Sequence, residues 1–545
     1  MKSNRFLLPL FLLITLISFY PSIGAGFVFD FLGWQRVYDA GSFGDIFNSF
    51  GYKGNHQVLH FFFYTIYSIF HIKGLPWYII FCTLHAINGF LFYLWLIQIN
   101  TRWKVNASGL LITLASILFL INPYNVEPVV WKVCIHYLLS LTAVLTLFIL
   151  VPRFTAEGAK KYLWISLFIY CLSFFLLELS YITPLAISLY LVIDMYAGNK
   201  TKDSFKRALW VCGGLWGLLT AGLLLNRWTL GSWVGHYGAS THLRLDVIGM
   251  MSNEVKYLVK HLLDARYLSF KTQTLIFDQI LSNAELIFFI LTLSIAAILA
   301  YIIRIRKMPG YIHLAFCGLA LSMLYILPVS NLFFYHIGIG TNDRFSYIAL
   351  VFFLTSLMAI LSRGPRWFWI AMMSILLLIQ VYLQEKTITY WKESSAVLTH
   401  LRDTFRWHDR SHVFILNSPD NYNGIVMASM REIPSGIDEL IDFQTDKPYD
   451  GIMYDVFQYN MITTNDGVTV EQTGPMQLKV TFKQWGNWWH RNGIGASTYE
   501  NEYYKAETLD YPYQITFKQL PEGSAIIYPD GMEWKEFQLA VGSGQ

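Results

Sequence analysis

Acids, amides and basic side chains in this sequence gather where apolar runs begin and end. GFVFDFLGWQRVY, residues 26–38, presents Asp30 just beyond the first apolar run, and NPYNVEPVVWK, residues 122–132, holds Glu127 between Pro123 and Pro128 and ends on Lys132. Glu178 stands near the end of a later run in FFLLELSYITP, Asn331 follows a proline-led exit in LPVSNLFF, and Asp343 and Arg344 open another run in NDRFSY. A carboxylate close to hydrocarbon is costly, so a functional site is the default hypothesis for Asp30 and Glu178. The planar fork of Arg344 suits a phosphate or diphosphate at a membrane surface. Simpler roles stay open: Asp30 as the cap of the next helix, Arg344 as a lipid contact, and His85 with Asn88, one turn apart in LPWYIIFCTLHAINGF, as polar contacts between helices.

The elements that carry these residues are membrane spans. Of 545 residues 54% are hydrophobic and 14% charged, against about a quarter charged in soluble domains; mean hydropathy is +0.41. The first run, Phe6 to Ala25, follows Lys2 and Arg5 and reads as a retained anchor, longer than a cleaved signal's apolar region. Further runs at about 76–99, 107–122, 136–151, 162–180, 182–197, 208–226, 285–303, 309–327, 345–361 and 367–385 bring the count to about eleven. Alternate connections hold Arg102 and Lys104; Arg153, Lys160 and Lys161; Lys200, Lys202, Lys206 and Arg207; Arg304, Arg306 and Lys307; and Arg363 and Arg366. By the positive-inside rule these are cytoplasmic, which puts the N-terminus inside and the Asp30 segment and everything after residue 386 outside. Two outer segments, 26–75 and 227–284, are too long for turns and predict amphipathic helices lying along the interface.

Net charge is only +4, and the basic clusters read as topology signals, which excludes nucleic-acid binding. The five cysteines, all in or beside apolar runs, show neither disulfide nor metal spacing. After an amphipathic connector at 387–404, residues 405–545 have the composition of a soluble β-rich or α/β domain. HVFILN (412–417) predicts a strand followed by a turn over Ser418–Gly424, and MQLKVTFK, 513–517 and 525–528 predict further strands. Trp485, Trp488, Trp489, Tyr499, Tyr503 and Tyr504 either build the core of this domain or stack on sugars; Asp420 and Asp455 read as solvated.

The order FVFDF, LPWYIIFCTLHAINGFLFYLW, NPYNVEPVVW, the Glu178 segment, LPVSNLFF and NDRFSY resembles the membrane half of the O-mannosyltransferases that carry tetratricopeptide repeats, and bacterial relatives in the GT-C glycosyltransferase superfamily. The corresponding patterns there read approximately F-V-W-D-D, L-L-H-A-x-N, H-P-x-H-V-E-x-V-x-W, S-K-E, L-P-x-S-N-L and E-R-x-L-Y, and the matches cover about residues 26–350. The resemblance implies a GT-C type polytopic α-helical membrane domain over residues 1–386. It also implies an enzyme that moves a sugar, with inversion, from a polyprenyl-phosphate donor to an acceptor hydroxyl on the outer face. Asp30 matches the family's catalytic base; Arg344, with Lys132 and His136, would stabilise the departing phosphate. Glu127 and Glu178 match family acids, and Asp343, Asn331 and His85 complete the polar set.

The chain departs from the pattern at Asp30-Phe31, where two acids are usual, at Asn122 and Asn125, where histidines are usual, and at Asn55-His56-Gln57, near a usual Tyr-Arg-Pro. No cofactor is required; a divalent metal is the alternative to none. The acceptor expected is Ser or Thr of an exported protein, or else a glycolipid or surface polysaccharide, and the setting a bacterial inner membrane with the C-terminal domain periplasmic. Two other classes compete: a transporter or flippase of a lipid-linked glycan, and a sensor anchored by its spans. Gathering of polar motifs at one face, and not at a midplane between paired halves, favours the enzyme. No 34-residue helical repeat is present, and no glycine-rich nucleotide loop, which fits a lipid-linked donor.

Overall fold

The computed structural model describes residues 6–28, 30–42, 44, 55–198, 201–234, 246–330, 342–428, 436–444, 447, 449–483, 488–489, 498–509 and 512–540. Asn331 and Trp485 lie outside them, as do the side chains of Trp488 and Trp489. The chain divides into two compact units: Met1–Ile23 with Ser42–Thr387, and Gly24–Gly41 with Ile388–Gln545.

The first unit is helical. Eight helices among the described residues are long and apolar enough to cross a membrane: Gly74–Arg102, Lys132–Glu157, Glu178–Ala197, Lys202–Leu230, Ala284–Lys307, Gly310–Ser330, Asp343–Leu361 and Arg366–Asp403. Gly109–Leu120 and Pro123–Val130, bent by 48°, make a ninth if counted as one span. The sequence count of about eleven also includes Leu7–Ser22 and the run at 162–180, where the helix is Lys160–Phe174, 15 residues. At about 1.5 Å per residue that helix is about 22 Å long, short of the ~30 Å of hydrocarbon.

Local chemistry sets these boundaries. Ser108 caps the 109–120 helix through the Leu111 amide, 3.2 Å. The Asn122 carboxamide accepts from the Tyr124 amide at 3.0 Å and turns the chain into Pro123. Thr201 and Ser204 form a reciprocal capping box for the 202–230 helix. The helix Arg366–Asp403 runs 38 residues with no glycine or proline, its first part in this unit and its residues from Ile388 in the second. The expected connector at 387–404 is therefore its continuation, because nothing in the sequence stops it.

Contacts between helix ends fix their directions. Arg102 grips Asp194 with two bonds, Nε–Oδ1 2.5 Å and Nη2–Oδ2 2.6 Å, and the Trp103 indole adds a third at 2.8 Å. Arg207 donates to the carbonyls of Thr155 and Ala156 at 3.1 and 3.0 Å. One end of the bundle thus collects the last turns of the 74–102, 132–157 and 178–197 helices with the first turns of 202–230. The starts of 132–157 and 178–197 lie at the other end.

In the second unit a sheet pairs His412–Ile415 in parallel with Ala525–Asp530 and Ile452–Asp455. Five antiparallel strands, among them Gln477–Phe482, Tyr504–Thr508 and Tyr513–Phe517, make another. Ser418–Tyr422, expected as a turn, is a strand in a third sheet, and the reversal is at Asn423 and Gly424, both at positive φ. Tyr499 and Tyr504 are buried, and the Phe414 ring packs among Tyr454, Tyr504 and Phe517, so those tyrosines serve the core. Asp455, expected solvated, is 3% exposed and accepts the Ser418 hydroxyl; Asp420 is half-buried. Asp30–Ala40, an 11-residue helix, belongs to this unit and packs on Gly436–Gln444.

Two helices come close at Gly318, where a Cβ would stand 2.6 Å from the Phe352 carbonyl oxygen and 2.9 Å from the Ser356 amide. Backbone cannot swing aside as a side chain can. Gly318→Val should lower stability by about 1–3 kcal/mol, whereas Gly213→Ala, with nothing within 4 Å, should be neutral or gain up to about 1 kcal/mol. Thermal unfolding in detergent decides; equal midpoints for the two variants would contradict the packing.

Candidate functional site

Three of the long apolar helices, 132–157, 178–197 and 343–361, begin in one polar cluster of the first unit. Its centre is Arg344. The guanidinium meets Glu127 Oε1 at 2.5 Å, and the Arg344 backbone amide donates to Oε2 of the same carboxylate at 3.0 Å. The cation lies 5.0 Å from the Trp131 ring and 4.6 Å from Phe345. Glu127 is where it is because Pro123 and Pro128 break the helix after Leu120 and leave a five-residue turn, Val126–Val130. The Arg344 side chain keeps 19% of its surface, in contrast to the buried Asp343 beside it.

The acid and arginine that adjoin in sequence pair away from each other. Asp343 meets Lys260 Nζ at 2.5 Å and also Arg266, with all three side chains at 4% exposure or less. Removing one member of such a set leaves a buried charge uncompensated, at a cost of about 3–5 kcal/mol. Tyr124 ties the set to the proline-broken turn: its hydroxyl donates to the Lys260 carbonyl at 2.8 Å, and Lys260 Nζ lies 5.1 Å from its ring.

Glu178 faces His56, 3.2 Å away, and both are largely buried. Burial opposes a charge on His56, but the Glu178 carboxylate, its hydrogen bond and the Leu176 carbonyl outweigh that, so the imidazole stands above its ordinary value. His60, four residues on, is held down to about 2 by burial and by its neighbours His56 and His136. His136 is half-buried and within electrostatic range of His56, Glu178 and Arg344. Glu127, Glu178, His136, Asp343 and Arg344 are thus brought to one end of the bundle.

Lys132 is buried with its ammonium 5.3 Å from the Phe81 ring. His85 lies among helices, with Nδ1 bonded to the Tyr347 hydroxyl at 2.7 Å and Nε2 to the Leu120 carbonyl at 3.0 Å; Asn88 contacts Leu138, Thr142 and Tyr347. Asp30 is half-buried in the first turn of its helix in the second unit, where the helix dipole favours a carboxylate by about 0.3–1 kcal/mol. Among the described residues no three His, Cys, Asp or Glu side chains assemble as metal ligands.

Sequence reasoning missed Lys260, Arg266, His56 and Glu254. The helix Val247–Leu263 buries Ser252, Glu254, Lys256, Lys260 and His261 and exposes Val247, Leu262 and Leu263. Its polar residues recur at helical spacing, Glu254, Tyr257 and His261, and that spacing was the available signal.

No family model matches the chain, and no curated protein matches it. The ordered motifs and the geometry around Arg344 are what bear on function.

Glu254 is the most costly of these groups. It is 3% exposed, and among the described residues neither carboxyl oxygen has a hydrogen-bond partner. Burial pushes it up to about 9, so at neutral pH it is the uncharged acid. An unfolded glutamate titrates near about 4.3. Glu254 therefore contributes stability fully below that value and loses it progressively as pH rises through about 9. Glu254→Gln cannot ionise. Unfolding midpoints of the two proteins should agree near pH 5 and separate by pH 9, with the variant the more stable; parallel curves would contradict the burial of a carboxyl there.

Proposed function

We propose that the chain is a polytopic membrane glycosyltransferase that moves a sugar from a polyprenyl-phosphate donor to an acceptor hydroxyl on the outer face. The observation that carries this reading is Arg344, half-open, set in a plane by Glu127 and Trp131 at the common start of three spans. Helix starts favour anions, and an arginine fork there suits a phosphate whose lipid tail remains in the bilayer.

In the proposed reaction the acceptor O–H gives its proton to Asp30 as its oxygen bonds to the anomeric carbon. The bond from that carbon to the phosphate oxygen breaks, and the polyprenyl phosphate leaves with the electron pair. Arg344 binds the charge that develops on the phosphate. Asp30 takes the part of base by its place in the FVFDF motif. Glu178 with His56, and Glu127, orient basic groups or meet sugar hydroxyls. Exported protein is the acceptor proposed, with glycolipid or polysaccharide the variant of the same chemistry. The N-terminus is proposed cytoplasmic, with the basic connections, in a bacterial inner membrane.

Purified wild type and Asp30→Asn, given radiolabelled polyprenyl-phosphate sugars and a membrane-protein extract, test the reaction. Label should reach protein with wild type alone, while both proteins retain fold and donor. Label on glycan or lipid would change the acceptor and keep the class. Transfer by correctly inserted Asp30→Asn would remove the base; donor bound by both proteins with no transfer by either would favour a transporter.

A further inference from the structure

The helices Ala284–Arg304, Gly310–Ser330 and Tyr347–Leu361 enclose a groove of about 810 Å³, within the ~300–1,000 Å³ of small-molecule sites. None of its lining residues belongs to the Arg344 cluster, and it takes no part in the chemistry above. Ala297, Ala300 and Ala315 keep it deep, and Leu319, 41% exposed, lies along it. Its lining is mostly apolar, with the Ser356 hydroxyl turned to the Ala315 carbonyl and the Tyr301 hydroxyl to His313, and at one end Arg304, Arg363 and Tyr311 enter it. Arg363 is held over the Tyr311 ring at 4.1 Å. Both arginines are exposed, and neither is ion-paired among the described residues.

The surrounding charge is of one sign. From Leu286 to Asn342 and from Arg344 to Gln384 the sequence has no Asp or Glu, while Arg304, Arg306, Lys307, Arg363 and Arg366 crowd the turns at this end. The 284–304 helix buries only Ile287 and Tyr301, so the groove's outer wall is an apolar helix with little of its own surface covered. An occupant must offer hydrocarbon along the groove and an anion at its end. A free phosphate meets only the second requirement and an uncharged lipid only the first.

We propose that this groove is a binding site for an anionic phospholipid, its acyl chain against Leu319 and the small residues and its phosphate between Arg304 and Arg363. The proposal rests on the membrane-spanning reading and not on the glycosyl-transfer chemistry. The arginines stand on the connections read as cytoplasmic, so the lipid comes from that leaflet. A juxtamembrane cation near an anionic surface contributes appreciably to lipid attraction, and two of them on one headgroup make it selective.

Wild type, Arg304→Gln/Arg363→Gln and Leu319→Trp are purified and reconstituted in nanodiscs of phosphatidylcholine with a minor fraction of phosphatidylglycerol. Bound lipid is then counted by mass spectrometry after detergent extraction. Wild type should retain phosphatidylglycerol over phosphatidylcholine; the double variant should lose that preference about tenfold. Leu319→Trp, which keeps both charges and fills the groove, should lower retention of the lipid itself. Unchanged preference in the double variant, or equal retention of both lipids by wild type, overturns the proposal, as does a second protein copy or peptide found in place of lipid. Failure of the protein to enter nanodiscs at all would instead sink the membrane reading.

Discussion

Asp343 and Arg344 are neighbours that cannot satisfy each other, and the first unit is arranged around that fact. Asp343 is drawn to Lys260 and Arg266, Arg344 to Glu127. Three segments remote in sequence, the proline-broken turn at 123–130, the 247–263 helix with the residues after it, and the start of the 343–361 helix, are pinned at one place. A buried Asp–Lys–Arg set tolerates little displacement, because moving any member strands a charge in an apolar interior. Arg344 inherits that rigidity while keeping part of its own surface open.

Direction follows from the opposite end of the bundle. The Arg102–Asp194 pair and the Arg207 bonds to the end of the 132–157 helix hold helix termini together far along the chain from Glu127 and Glu178. Since 132–157 and 178–197 end there, their starts converge where Arg344 stands. Their dipoles then add at the site, and fixed partial charges of this kind require no rearrangement when an anion arrives. Glu254 and the His56–Glu178 pair add titratable groups whose charge depends on burial and on each other.

Much of this was legible in the sequence, and for identifiable reasons. Apolar runs bounded by Arg102, Arg207 or Arg304 announce helices, and Pro123, Pro128 and the acids at helix starts announce where they break. Alternation in MQLKVTFK and the β-branched HVFI gave strands that the second unit contains. What was hidden depended on tertiary contact. The 247–263 helix looked like an interfacial amphipath, but its polar face is the buried one, since Lys260 finds Asp343 and Tyr124 there. His85, polar in an apolar run, proved to be bonded between helices at both nitrogens. Two of the eleven runs, 160–174 and 7–22, are apolar but form helices shorter than the eight long ones. Asp30 lies in a helix that clusters with the C-terminal residues, a grouping no local pattern announces.

The most direct test of the central claim is the affinity of purified protein for a polyprenyl phosphate without sugar, measured for wild type and for Arg344→Gln in the same nanodisc. If Arg344 receives the lipid phosphate, the variant should still fold, at a lower unfolding temperature because Glu127 loses its partner, and should bind about tenfold or more weakly, since a charge-assisted bond to phosphate is worth about 1.5–3 kcal/mol. Equal affinity in a folded variant would mean that Arg344 serves only to hold Glu127, and the phosphate site would have to be sought elsewhere.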